Sequence, residues 1–261
     1  MPKKIFTKSY SKKILKEISN QAVFSAEEHA YAEKKQDGHH YQTKEKMLKK
    51  YLPRAQKTIA NNQFLIDLIL EKNHKNIISF GAGAGVKEYL LKRILPKNCT
   101  VISTDFDPFI VGKVKEYFPE IIVEQFDFRN QNLEKFSKKI DIKFDLAIFF
   151  DSSYVLDDEN FVRVFKDLKK NGLKNIVDFN GAYISLTERL KFFLIPEIIR
   201  QNNFLRKIFQ KKIFSSYSNQ GKFHGYSRTR RELHDLYKKA GWKIIKDNFK
   251  ALDNKYIASL S

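Results

Sequence analysis

The sequence predicts an α/β fold in which a mostly parallel sheet carries helices on both faces. Three observations carry that expectation. Short apolar runs rich in β-branched and aromatic residues recur at 77–80, 100–104, 121–126, 144–150 and 175–179, each of strand length. Stretches with helical apolar spacing alternate with them. The first run also opens into glycines at alternate positions, Gly81, Gly83 and Gly85, and then into helical spacing at Val86, Tyr89, Leu90 and Ile94. A glycine turn lets the backbone take positive φ and lets a ligand approach it closely, while the following helix offers unpaired N–H groups to an anion.

Residues 1–50 are polar, with weak helical pattern around 14–18 and 22–32 and a turn at Asp37-Gly38. Over 43–70, Met47, Leu48, Tyr51 and Leu52, then Ile59, Phe64, Leu65, Leu68 and Ile69, predict two helices. The break between them is expected at Pro53, which lacks an N–H and crowds the preceding turn. The strand at 100–104 ends in Asp105, about 20 residues past the last glycine, where a βαβ nucleotide site places an acid on ribose hydroxyls. Asp107 reads as the cap of a helix that starts at Pro108 and runs through Phe109, Val111, Val114 and Tyr117.

The third strand is followed by Asp127-Phe128, and the fourth, strongly apolar, ends in Asp151. A helix at 157–171 closes at Asn171-Gly172, and a fifth strand occupies 175–179. Residues 181–227 break the rhythm: they are long, aromatic and basic, and Pro196 divides them. It resumes with a helix at 228–240 ended by Gly241 and strands at 242–247 and 256–260, so seven strands fit the chain. Ligands in such sheets bind at the carboxyl ends of the strands. Those ends are residues 80–85, Asp105, Asp127, Phe150-Asp151 and Asn180.

The chain of 261 residues carries a formal net charge of +19, unevenly distributed. Residues 1–60 hold 14 basic against 6 acidic groups and 181–231 hold 11 against 2, whereas 61–180 are balanced at 18 each. The excess therefore belongs to whatever the flanks touch, such as an anionic substrate, an acidic membrane face or nucleic acid. A single cysteine, Cys99, excludes an internal disulfide framework. With no signal-peptide core and no apolar run of about 20 residues, a cytoplasmic protein is expected. The histidines show no paired spacing with cysteines or acids, so metal-independent chemistry is expected.

At these residues the chain resembles the class I S-adenosylmethionine-dependent methyltransferases. The resemblance covers roughly 60–180 and 226–261. It rests on SFGAGAG at 79–85, STDFDP around Asp105, EQFDF around Asp127, FDLAIFFDSS at 144–153, and the ending GYSRTRRELHDLYKKAGWKII. It implies a Rossmann-like seven-stranded sheet, mostly parallel with the last strand antiparallel. A helical extension at 1–60 would precede the methyltransferase domain at 61–261, which would hold a substrate-covering insertion at 181–227. It also implies S-adenosylmethionine as cofactor, held by Phe80, Gly81, Ala82, Gly83 and Gly85 near its methionine part. Asp105 and Phe106 would sit at the ribose, Asp127 and Phe128 at the adenine, and Phe149 or Phe150 beside the methionine end.

Methyl transfer from a sulfonium needs mainly alignment and exclusion of water. A hydroxyl or ammonium acceptor also needs a base. The candidates are His224, slightly favoured, Asp151 at the mouth of the fourth strand, and Tyr226. In the insertion, Ile198, Leu205, Phe209 and Ile213 fall near one helical face, with Arg206, Lys207, Lys211 and Lys212 among the others. This predicts a lid over an anionic acceptor, with a peripheral membrane helix or a homodimer contact as the competing readings. The expected function is methyl transfer to oxygen or nitrogen of a small anionic metabolite or carbohydrate intermediate. The alternatives are an RNA or protein methyltransferase, disfavoured by the lack of a nucleic-acid module, and a non-catalytic cofactor-binding scaffold.

Overall fold

Apolar runs bounded by turns become the strands of one sheet, and the amphipathic segments between them become its two helical layers. The computed structural model describes residues 3–6, 41–60, 62–179, 223–249 and 256–261. The patterns at 14–18 and 22–32, the turn at Asp37-Gly38, Asn180 and the basic segment 197–214 lie outside the described residues.

In chain order the elements are β1 (Lys3–Phe6), α1 (Lys44–Ala60), α2 (Gln63–Glu71), β2 (Asn76–Phe80), α3 (Val86–Ile94), β3 (Thr100–Asp105) and α4 (Pro108–Tyr117). Then come β4 (Ile122–Gln125), α5 (Leu133–Ile140), β5 (Leu146–Phe150), a 3-10 turn (Ser153–Val155), α6 (Asp158–Lys170) and β6 (Asn175–Phe179). The chain closes with β7 (Phe223–Ser227), α7 (Arg230–Lys239), β8 (Lys243–Asn248) and β9 (Tyr256–Leu260). Seven strands pair in the order β4-β3-β2-β5-β6-β9-β8. All neighbours run parallel except β9, which is antiparallel to both β6 and β8. The strand order reverses between β2 and β5, so the crevice of this sheet opens beside the end of β2.

Burial explains the strand sequences. The central strand β5, Leu-Ala-Ile-Phe-Phe, is buried at every position, as expected for a strand covered on both faces. The edge strands β4 and β8 alternate or expose their residues, including Ile122 and Ile245. Along the central strands successive side chains point to opposite faces. Ile78, Phe80, Ala147, Phe149 and Ile176 meet α5, α6 and α7 through Phe136, Phe161, Phe165, Leu233 and Tyr237. Ile77, Ile148 and Val177 meet Leu65, Leu68 and Ile69 of α2 and Leu91 of α3 on the other face. A third cluster joins Met47 and Ala55 of α1 to Val86 of α3 and to Val111 and Val114 of α4.

The helix break expected at Pro53 lies elsewhere. Helix α1 passes through Pro53 and stops at Ala60. Its packed stripe of Met47, Tyr51, Ala55 and Ile59 continues past the proline, which faces solvent. Packing along that stripe therefore outweighs one lost helical hydrogen bond. The actual break is made by Asn62, whose side-chain amide donates back to the carbonyl of Thr58 and whose carbonyl starts α2 by accepting from Leu65. Helix α5 and the antiparallel β1–β7 ribbon went unforeseen in the sequence. The caps read correctly: Asp107 accepts from the amide of Phe109 at 2.8 Å, and Gly172 and Gly241 follow α6 and α7 at φ +83° and +82°.

Because Pro53 is exposed within a packed helix, Pro53→Ala should restore the missing bond and stabilise the protein by about 1–2 kcal/mol. A urea titration reads this, and an unchanged or lower midpoint would show that the proline is matched to its turn.

Candidate functional site

The glycine loop leaves β2 at Phe80 and is tied to the neighbouring strand. The amides of Gly81 and Ala82 both donate to the carbonyl of Thr104, at 2.8 and 2.9 Å, and the Thr104 hydroxyl donates back to the carbonyl of Ser79 at 2.9 Å. Gly81, Gly83 and Gly85 all have positive φ, at +78°, +51° and +67°. Their surroundings differ. A Cβ on Gly81 would lie 2.5 Å from Cβ of Ser152, and one on Gly85 would lie 2.4 Å from a methyl of Val114, so both positions are closed by packing. A Cβ on Gly83 would meet nothing within 4 Å. Gly83 is thus the member of the motif whose backbone faces open space.

The amide of Gly83 donates to Oδ2 of Asp105 at 3.0 Å, and the amide of Asp107 donates to Oδ1 at 3.0 Å. Asp105 is 7 % exposed. Burial raises its carboxyl to about 6, against the lowering effect of the Asp107 and Gly83 amides. Each oxygen carries one backbone donor and keeps acceptor capacity, so the carboxylate suits a pair of neighbouring hydroxyls. A second buried acid lies under the loop. Glu88 of α3 is 1 % exposed; its Oε1 accepts from the Ser79 hydroxyl at 2.7 Å, and burial raises its pKa.

At the end of β4 the carboxylate of Asp127 is fully engaged locally. Arg129 forms a two-pronged pair with it, at 2.8 Å on each oxygen, and Asn130 donates at 3.0 Å. The Arg129 guanidinium lies 4.7 Å from the centre of the Phe106 ring. A purine reaching Asp127 would have to share it with these donors. Phe128 packs edge-on to Phe149 at 5.6 Å. Of Phe149 and Phe150, either of which was expected to flank the cofactor, Phe149 has its ring turned into the core by strand alternation, where it is 0 % exposed and stacked on Phe165. Phe80 is buried the same way. The Phe150 ring points to the opposite face and lies 5.0 Å from the ammonium of Lys87.

Beyond β5, Asp151 adopts a φ of +58° and its carboxylate accepts from Arg54 and Lys87. Ser152 donates to the carbonyl of Phe80 at 2.6 Å, locking this turn against the glycine loop. Ser153 donates to the carboxylate of Asp178, which also accepts from Tyr237 at 3.2 Å. Asp178 escaped the sequence reading, although a carboxylate inside the strand Asn-Ile-Val-Asp-Phe was a visible signal. Burial raises it to about 7, against hydrogen bonds from Ser153 and Tyr237 that lower it. Arg54 and Lys87 were also missed, because their partner is distant in sequence.

Of the three candidate bases, the structure brings two elements to one end of the sheet. Strand β7, which carries His224 and Tyr226, pairs with β1 and packs against the 3-10 turn that follows Asp151. Burial, followed by the charge of Asp157, raises the Tyr226 phenol, so it stays protonated near neutral pH. The neighbouring Arg228 is 1 % exposed and donates to Asp158 and to the carbonyl of Leu156, anchoring β7 to the turn before α6. Among the described residues no cluster of three His, Cys, Asp or Glu is placed to hold a metal ion, and no helix is long and apolar enough to cross a membrane.

No protein-family model and no curated protein sequence matches the chain. Solved structures do. Human N-acetylserotonin methyltransferase in complex with SAM is 17 % identical, with a TM-score of 0.56 over 95 % of this chain and 64 % of the human one. The chain has the class I methyltransferase fold. Two further similar structures are an O-methyltransferase family 2 protein from Planctomyces limnophilus in complex with apigenin and the S-adenosylmethionine-dependent methyltransferase SibL. The first is 11 % identical, with a TM-score of 0.48 over 72 % of this chain and 51 % of that protein. The second is 11 % identical, with a TM-score of 0.49 over the same two shares. The chain therefore corresponds to between half and two thirds of the length of these proteins.

The Asp178 carboxyl generates a prediction about stability. Its folded value of about 7 lies above the ordinary aspartate value of 3.8, so between these values the native state holds a proton that the unfolded chain has lost. Stability should fall as pH rises from 4 to 7, by up to about 1.4 kcal/mol per pH unit from this group. Asp178→Asn should flatten that slope in urea titrations across the range. An unchanged slope would mean that Asp178 is ionised throughout.

Proposed function

We propose that the protein is an S-adenosylmethionine-dependent methyltransferase acting on an oxygen of a small, anionic molecule. The observation that carries the reading is the Asp105 carboxylate, bonded to the open Gly83 backbone where the strand order reverses. A ligand with a vicinal diol finds there two free acceptor positions, and the α3 N-terminus and glycine amides lie alongside. The resident methyl donor would supply a methyl group on a positively charged sulfur, with a neutral leaving group. Gly81, Ala82 and Gly83 hold that donor through their backbone, Asp105 and Phe106 hold its ribose, and Asp127 and Phe128 border its base. That the human enzyme of the same fold was crystallised with SAM supports this choice of donor. The basic flanks support an anionic acceptor, and residues 1–60 and 181–227 are the segments proposed to cover it.

For a hydroxyl acceptor the proton must leave as the new C–O bond forms. We assign its removal to the imidazole of His224, supported by the place of β7 beside the β5 turn and by the raised phenol of Tyr226. The reaction needs no metal ion, because the leaving group is already neutral and alignment supplies most of the acceleration. Incubating an extract with the protein and labelled donor should therefore transfer label to a small molecule in the presence of a chelator. Label found only in protein or RNA, or only after a divalent ion is restored, would overturn this part of the reading.

The Asp105 carboxyl gives the donor site a pH dependence. Hydroxyls need the ionised form as acceptor, so affinity for S-adenosylhomocysteine should rise with pH through about 6 and fall by up to about tenfold per unit below it. Calorimetry should show a weaker, pH-independent affinity for Asp105→Asn. No binding by the unaltered protein would sink the methyltransferase reading. His224→Ala should lower kcat by about 10²–10⁴-fold with S-adenosylhomocysteine affinity unchanged, and a fully active variant would remove His224 from the mechanism.

A further inference from the structure

Polar side chains from three elements meet beneath the glycine loop, on the face of the sheet that α3 covers. Alternate residues of β2 and β3 point to that face, where Ile77 and Val101 pack with Leu91 of α3 in one apolar cluster. The next pair of residues on the same face, Ser79 and Ser103, stands in register across the two strands and is fully buried. Glu88 lies one helical turn before Leu91, so it faces the same level of the sheet, and it is 1 % exposed. Asp105 follows Ser103 on this face. The spacing of the strands and of the helix calls for apolar residues at 79, 88 and 103, and the chain places two hydroxyls and an acid there.

The Ser79 hydroxyl donates to Oε1 of Glu88 at 2.7 Å. Among the described residues, neither Oε2 of Glu88 nor the hydroxyl of Ser103, both buried, has a hydrogen-bond partner. An ionised carboxylate held by one hydroxyl would keep most of its acceptor capacity unanswered and out of water, which is costly. It would also repel the Asp105 carboxylate, which two backbone amides already answer. Burial pushes the Glu88 carboxyl up, against the Ser79 bond and the charge of Lys87, which favour the anion. A carboxyl that keeps its proton has another use. It ties the first turn of α3 to β2 two residues before Gly81, and adds no negative charge beside Asp105.

We propose that Glu88, as a neutral acid, is a positioning residue for the glycine loop. It acts through Ser79 on the end of β2 and through its own helical turn on the amides that open α3. The loop is then held from two directions, by the Thr104 carbonyl on β3 and by Glu88 on α3. Asp105 is left as the anion that a ligand meets. The ligand arm of the test rests on the methyl-donor reading above, and a second arm does not.

Calorimetry with S-adenosylhomocysteine over about pH 5–8 is the first arm. Glu88→Gln keeps the acceptor and the neutral form, so it should bind within about twofold of the unaltered protein, with the midpoint of the pH dependence unmoved. Glu88→Leu keeps the side-chain size but leaves the Ser79 hydroxyl unpaired, and should weaken binding about five- to tenfold. Full affinity in Glu88→Leu would overturn the positioning role. A Glu88→Gln variant as weak as Glu88→Leu, or one whose midpoint moves to lower pH, would overturn the neutral form. The second arm is the amide proton shift of Gly83, which donates to Asp105 and reads the loop without ligand. It should stay in place in Glu88→Gln and move in Glu88→Leu, with the amides of β6 and β9 unchanged in both as the mark of an intact sheet. Failure of the unaltered protein to bind S-adenosylhomocysteine would overturn the donor reading alone. The Gly83 amide would still decide on Glu88, since the same shift in all three proteins would overturn its role.

Discussion

The hydrogen bond from Gly83 to the buried carboxylate of Asp105 is the constraint on which the site depends. It joins the end of β2 to the end of β3 across a loop that the Thr104 carbonyl already ties down. Removing a carboxylate from water is costly unless donors replace the solvent, and here two backbone amides do so. The acid is therefore held in one orientation before any ligand arrives. The same bond fixes the loop amide direction, so the loop is preorganised rather than shaped on binding.

The two sides of the loop are closed by different means. Gly85 packs on Val114 of α4, and Gly81 packs on Ser152 of the β5 turn. The alternate-glycine spacing thus meets separate requirements: Gly81 and Gly85 are closed by packing, and Gly83 faces open space. Behind the loop the aromatic stack of Phe80, Phe149 and Phe165 fills the interior. That stack holds the ends of β2 and β5 at a set height, so displacement of either strand would move the Asp105 side and the Asp151 side of the site together.

Much of this was legible in the sequence because it is local. The glycine motif, the acid closing β3, the cap at Asp107 and the apolar run of β5 each depend on neighbours a few residues away, and pattern captures them. The helix break was misplaced because a proline's local cost was weighed without the stripe Met47–Tyr51–Ala55–Ile59 that binds α1 to α3 and α4. Phe149 and Phe150 stayed alternatives because strand period alone gives two faces without saying which is outward at a strand end. Asp178, Arg54 and Lys87 were missed for a third reason. Their partners, Ser153, Tyr237 and Asp151, are brought near only by the sheet order, which no spacing along the chain encodes.

The division of charge now has a structural edge. The balanced segment 61–180 builds the Asp105 side, where a buried carboxylate is answered by neutral amides. The basic flanks enter at the other side, and Arg54 on α1 is where the first of them touches the sheet end. One carboxylate shared by two cations is a poor stabiliser when its arginine stands 70 % in solvent, and a strained backbone is a poor way to obtain it. The conformation is imposed from the sheet, since the Asp151 amide donates to the carbonyl of Phe179 on β6 at 2.8 Å.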